Sequence, residues 1–450
     1  MSALLISRLQ FALTISFHII FPAFSIGLAT YLVIVEGLWL KTNKKVYYRS
    51  ARFWSKFLAL TFGMGIISGL AMAFQIGTNW AGFSSVVGPV LGVLFTLESL
   101  TAFFVEATFL GVMLFGWHLV SRRFHYISTI MVAIGVTLSA FWIMAANSWM
   151  HTPSGVIYQE HRFIVTDWLG VVFNPSTLTR FSHMLLASYI ATLMVIAMVC
   201  AVYLLRRRHL TFALKNLKLS LTLLLFLAPV QVGVGDLVGL MIHDYQPVKT
   251  AAIEGLWHSK KGAPLVLFAV VSQQERTNSY SLEIPKLASL INTHDWDGEL
   301  SGLENIPVDQ LPRIAVVFYS FRIMVGLGFW IILLTCLGFY LWRKKSLQTT
   351  KWYQRLLVLS APAGFIALLT GWFTSEVGRQ PWVVYNYIKT HDVVSHVNEG
   401  QVLLGFIVII ITYGLIFGVG YTTFFTKIVN KGPSLMPRKR RRFLTSRRAV

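Results

Sequence analysis

L-L-V-L-S-A-P-A-G-F-I-A-L-L-T-G-W-F-T-S-E-V-G-R-Q-P-W, from Leu356 to Trp382, is the stretch on which the reading of the chain turns. The run Leu356 to Ser375 carries no charge, and about 20 apolar residues are what a helix needs to cross a bilayer. A carboxylate, Glu376, stands where the run ends, and Arg379 follows three residues later. Pro381 stops the helix from continuing, and Trp372 and Trp382 flank the pair. Tryptophan and arginine also belt membrane surfaces as plain anchors. An acid at the membrane rim is costly unless it has work to do, so the other polar residues have to decide.

Outward from this run the pattern repeats. The chain has 450 residues, of which 55% are hydrophobic and only 13% charged. Soluble domains carry about 25% charged residues, so this is an all-α integral membrane protein. Counting apolar runs gives nine spans, at 11–40, 53–76, 91–120, 127–150, 179–205, 219–242, 313–342, 356–375 and 398–426. No internal repeat is evident, which speaks against an inverted-repeat transporter. Cys200 and Cys336 lie inside apolar runs, and there is no C-x-x-C-H or thiolate cluster, which excludes covalent haem attachment, iron–sulfur ligation and a disulfide framework. The first apolar run lacks a basic leader and a small-residue cleavage site, so it is expected to be a retained helix.

The net charge of +21 does not point to nucleic acid, because the basic residues fall in short clusters between apolar runs. Segments 41–52, 121–126, 206–218 and 343–355 and the tail are basic, whereas 77–90 has no Lys or Arg. The positive-inside rule then puts the N-terminus outside and the C-terminus in the cytoplasm. The expected organisation is six helices over 1–242, an outer-face loop over 243–312, three helices over 313–426 and a basic cytoplasmic tail over 427–450. The run Arg438 to Arg442 in that tail suits anionic lipid or disorder. The loop holds nine of the 18 acids, and a long charged loop is usually functional.

Several polar residues sit within the spans. His18 precedes Pro22, which makes room beside it; a lone intramembrane His is a packing residue or a haem ligand. Glu98 and Glu106 lie about 80° apart around one helix, which suggests a proton path or acids facing a partner's basic residues. His183 opens the fifth span. Met324 would be core filler but for Arg322 two residues before it; His plus Met on two helices is a low-spin haem ligation, and Arg322 suits a haem propionate. Asn147 lies near the outer side and offers an interhelical hydrogen bond. His18, Glu98, His183, Met324 and Glu376 all fall in the outer half of the bilayer.

With these residues in place the chain resembles subunit I of the cytochrome bd-type quinol oxidases over nearly its whole length. The resemblance rests on S-R-L-Q-F-A-L-T from Ser7, F-Q-x-G-T-N-W from Phe74, the acids Glu98 and Glu106, F-R-I-M from Phe321 and G-R-Q-P-W from Gly378. It implies a bacterial cytoplasmic-membrane enzyme that oxidises quinol at the outer face and reduces dioxygen with cytoplasmic protons, without pumping. It implies a low-spin haem b on His183 and Met324, and two high-spin haems, one b and one d or a further b, served by His18 and Glu376. Arg322, Arg379, Trp372 and Asn147 would lie around the haems, and Glu98 and Glu106 would carry protons. Lys249 and Glu254 in K-T-A-A-I-E would belong to the quinol site. A homologous second membrane subunit, a small single-helix subunit and membrane lipids are the implied partners. Two features depart from many members: the loop is short, as in the cyanide-insensitive subgroup, and Thr370 stands where an acid is common. The alternatives are a transporter that uses the intramembrane His and Glu residues, and a cytochrome b that moves electrons without reducing oxygen.

Overall fold

The structure is a computed structural model that describes residues 2–433; Arg438 to Arg442 lie outside the described residues. Among these, nine helical stretches are long and apolar enough to cross a membrane. They are span 1 (Ala3–Thr42), span 2 (Lys45–Thr78), span 3 (Ala81–His118), span 4 (Arg122–His151), span 5 (Trp168–Leu205), span 6 (Leu210–Tyr245), span 7 (Val308–Arg343), span 8 (Lys351–Val377) and span 9 (Glu399–Lys431).

The expected number of spans is met, but the helices are longer than the apolar windows that announced them. The basic loop expected over 41–52 shrinks to Asn43 and Lys44, and helix resumes at Lys45. That expected over 206–218 ends where helix begins at Leu210. The physical reason is that Lys and Arg are good helix formers in water. A hydropathy window stops at the first charge; the hydrogen-bonded helix does not. Span 1 also runs unbroken through Pro22.

Spans 1 and 5 form the interior. In their most apolar windows 61% and 67% of residues are buried, against 28% or less in every other span. Close approach of these two depends on Gly27, where a Cβ would lie 2.0 Å from Thr192 Oγ1 and 2.8 Å from the Ser188 carbonyl oxygen. Span 8 approaches span 5 in the same way at Gly364, over the Ala191 backbone. Spans 5, 6, 7 and 8 form a ring in which each packs on the next, while the diagonal pairs, 5 with 7 and 6 with 8, touch at most marginally.

A buried polar staple ties spans 1, 3 and 4 at the end away from the 243–312 segment. His125 Nδ1 lies 2.6 Å from Glu36 Oε1, Thr129 donates to Glu36 Oε2 at 2.7 Å, and His125 Nε2 meets the Met113 carbonyl at 3.0 Å. The 243–312 segment itself is more ordered than its prolines suggest. It contains the short helix Pro247–Glu254, an antiparallel hairpin of Leu265–Ser272 and Thr277–Ile284, and the short helix Leu287–Thr293.

Gly27→Val is expected to force spans 1 and 5 apart. Overpacking of this kind costs on the order of 1–3 kcal/mol or more, so the purified variant should melt at a lower temperature than the parent in the same detergent.

Candidate functional site

Glu376 closes span 8 in a dense polar cluster. Its Oε1 accepts from Asn147 Nδ2 at 2.9 Å and from His151 Nε2 at 3.1 Å, and its Oε2 accepts from Arg379 Nη2 at 2.6 Å. Of the roughly four acceptor positions of a carboxylate, three are used and one on Oε2 is left. Arg180, one turn before His183 on span 5, stands 4.0 Å from Oε1 and donates to Asn147 Oδ1 and, at 3.0 Å, to Ser375 Oγ. Because His151 gives its Nε2 proton to the carboxylate, its Nδ1 is an acceptor, and the Lys249 Nζ lies 3.0 Å from it. Lys249 also donates to Gln246 Oε1, and burial, reinforced by Arg180, holds its amine well below the usual lysine range. Gly378 makes room for it, since a Cβ there would stand 2.8 Å from Lys249 Cγ. A cleft of about 440 Å³ opens beside His151, between Tyr245 and Tyr385.

One carboxylate thus faces two guanidinium groups and an amine. The Nε of Arg180 and the Nε and Nη1 of Arg379 are buried with no hydrogen-bond partner. Buried donors are normally satisfied, so these point at an anionic group, and the carboxylates of haem propionates fit them.

The candidate axial ligands fit as well. Ser68 Oγ donates to the carbonyls of Met64 (2.9 Å) and Gly65 (3.1 Å), so it accepts from His18 Nδ1 at 3.0 Å. His18 Nε2 then keeps its lone pair, the tautomer a metal ligand needs. A Cβ at Gly69 would sit 3.3 Å from His18 Cε1, and one at Gly235 would sit 3.3 Å from His183 Cε1. Beside His183 the side-chain oxygen of Gln231 is buried without a partner. His183 on span 5 and Met324 on span 7 occupy diagonal helices of the four-span ring. Met324 Sδ is accommodated by Gly371, where a Cβ would be 2.6 Å away. The half-buried Trp372 lies beside Phe373, with ring centres 5.6 Å apart and the planes tilted by 59°.

Lys249 and Glu254, expected together, serve different neighbourhoods. They stand at the two ends of the helix Pro247–Glu254, which Gly255 terminates with φ of 66°. Lys249 enters the Glu376 cluster. Glu254 pairs with Arg322, Nη2 to Oε2, at 3.2 Å. Arg322 is further held where its Nε and Nη1 bond the Val266 and Ile253 carbonyls at 2.9 and 2.8 Å. Arg322 thus uses three of its five N–H donors, against two for Arg180 and one for Arg379.

Glu98 and Glu106 lie on either side of a π-helical turn, Ser99–Phe103. A π-bulge absorbs one residue, so their separation around the axis falls from about 80° to roughly 20°. Both face span 4. Gly135 lets Glu106 approach closely, since a Cβ there would stand 3.1 Å from the Glu106 backbone nitrogen, and Ser139 donates to Glu98 Oε1 at 2.7 Å. Span 4 therefore meets Glu106, Glu98 and Glu376 in order, at Gly135, Ser139 and Asn147, steps of about 6 and 12 Å at 1.5 Å per residue.

Sequence reading missed Arg180, His151, Gln246, Ser68 and Gln231. Arg180 had a signal, being an arginine at the mouth of an apolar run. His151 and Gln246 did not, since each is an ordinary polar residue at a helix end.

Fold and site define a polytopic helical membrane protein with a cation-rich buried centre and haem-competent ligands. Residues 6–433 match the family described as cytochrome bd terminal oxidase subunit I. The chain is similar to the cytochrome bd-II ubiquinol oxidase subunit 1 of Escherichia coli, with 31% identity over 96% of this chain and 97% of that one. It is 32% identical to the cytochrome bd ubiquinol oxidase subunit 1 of Bacillus subtilis, over 96% and 94% of the two chains. The solved bd oxidase from Geobacillus thermodenitrificans superposes with a TM-score of 0.89 at 28% identity, covering 96% of this chain and 99% of that one. The chain belongs to the cytochrome bd terminal oxidase subunit I family, and is a multi-pass protein of the bacterial cytoplasmic membrane.

Arg379→Gln removes the nearest cation from Glu376. Breaking one side of a buried pair costs on the order of 3–5 kcal/mol, so the variant should lose thermal stability, and Arg379→Lys should lose less.

Proposed function

We propose that the chain is the haem-bearing subunit of a quinol:oxygen oxidoreductase. The observation that supports this most is the cluster around Glu376, with its spare acceptor position and its unpartnered buried guanidinium donors. In this reading His183 and Met324 hold a low-spin haem b. His18 and Glu376 serve two high-spin haems, one b and the other d or b, and Arg180 and Arg379 receive propionates. Haems held there would supply one-electron transfer from quinol and the reduction of dioxygen to water. The transporter alternative does not survive the family membership.

The side chains do the proton work. Glu254, held by Arg322, accepts a proton from a quinol hydroxyl and releases it to the outer face. Lys249 and His151 tie the same short helix to Glu376. Glu106 and Glu98, in line along span 4, hold protons drawn from the cytoplasmic side for water formation. Because quinol protons leave on one side and water protons enter from the other, turnover charges the membrane without a pump. The family resemblance adds a homologous second membrane subunit, which suits the exposed apolar side chains Phe74, Phe104 and Leu404.

A reduced-minus-oxidised visible spectrum of the purified complex, with and without carbon monoxide, tests the reading. Low-spin b absorbance plus a carbon monoxide-responsive high-spin fraction is expected; a far-red band assigns haem d, its absence an all-b centre. A folded complex with no haem absorbance refutes the proposal. For the proton path, Glu106→Gln should slow steady-state oxygen reduction by at least tenfold, within the range general acid–base groups contribute. An undiminished rate removes Glu106 from the path.

A further inference from the structure

Glu254 is gripped from two sides, and the second grip comes from a part of the outer segment that no sequence signal marked. Arg322 reaches Oε2 at 3.2 Å, and Asn292 Nδ2 donates to Oε1 at 3.0 Å. Both Glu254 and Asn292 are buried. Each carboxylate oxygen therefore has one fixed donor and room for one more hydrogen bond.

Asn292 is delivered by an anchored element. It lies in the last turn of the helix Leu287–Thr293, and its amide also donates to the Ala288 carbonyl at 2.9 Å. Ser289 of that helix accepts from the Ala263 N–H and donates to the Gly298 carbonyl, both at 2.7 Å. His294, which ends the helix in the left-handed conformation, sets its Nε2 3.1 Å from Asp236 Oδ2 on span 6. Arg322 is equally immobile, because two backbone carbonyls hold its other nitrogens. Two rigid donors on opposite oxygens fix the plane of the carboxylate, which one donor alone does not.

We propose that Asn292 is a positioning residue for quinol oxidation: it holds the Glu254 carboxylate in the orientation that receives the quinol proton. The inference rests on Glu254 being the proton acceptor of the quinol site. The Asn292 amide donates to Oε1 and takes no proton itself, so it fixes the carboxylate without competing for the quinol proton. In the step it supports, the quinol O–H bond breaks, an O–H bond forms on Glu254, and the electron leaves by the route the oxidase already uses.

The test uses the haem-loaded complex with a short-chain ubiquinol as donor, and tetramethyl-p-phenylenediamine as a one-electron donor that bypasses quinol. Asn292→Ala should lower kcat with the quinol about tenfold, the lower range for a hydrogen bond to a charged group, and change KM less. Asn292→Asp, nearly the same in shape, has no amide donor and should lower kcat at least as much, and it carries the test if the alanine variant does not fold. Haem content and the bypass rate should stay near the parent values. If Glu254→Gln abolishes quinol oxidation while both Asn292 variants keep the parent kcat, Asn292 has no positioning role. If Glu254→Gln is itself fully active, the quinol-site reading falls and this inference falls with it.

Discussion

A single carboxylate surrounded by cations, at the end of a membrane helix, is the constraint that organises this protein. Glu376 is tied to Arg379, Asn147 and His151 within about one hydrogen-bond length, and through them to Arg180 and Lys249. These side chains come from spans 4, 5 and 8 and from the outer segment, so satisfying one buried charge fixes the relative heights of all four. The cost of burying so much charge is offset only partly inside the chain, since guanidinium donors remain unpartnered. A site that binds anionic groups must leave such donors available.

The short helix Pro247–Glu254 links this centre to the outer surface. One end puts Lys249 into the Glu376 cluster; the other puts Glu254 beside Arg322 on span 7, the helix of Met324. The two residues of one sequence motif thus act in two neighbourhoods although only five residues apart in one short helix. Span 4 organises the membrane interior in a comparable way, meeting Glu106, Glu98 and Glu376 in succession. The π-helical turn in span 3 matters here, because it rotates the two glutamates onto nearly one line.

Much of the architecture was legible from residue order. The nine apolar runs located the spans because bilayer thickness dictates their minimum length. Helix ends were misjudged at Lys45 and Leu210, where charged residues continue the helix beyond the apolar window. Of the site, Glu376, Arg379, Asn147 and Lys249 were all expected and are brought together. Their companions Arg180 and His151 were not, nor were the Glu254 carboxylate and two backbone carbonyls that hold Arg322.

The sequence by itself determined the membrane class, the number of spans and which ionisable residues the spans contain, because hydropathy and charge act along the chain and need no partner to be read. Only the tertiary structure decided who meets whom. The pairing of Glu254 with Asn292 joins residues 38 apart, and that of Arg180 with Asn147 joins two different spans. Such contacts depend on how helices rotate and approach, at Gly27, Gly135 and Gly371 to within the space a methyl group would fill. That information lies in packing between elements, which no local pattern of residues encodes.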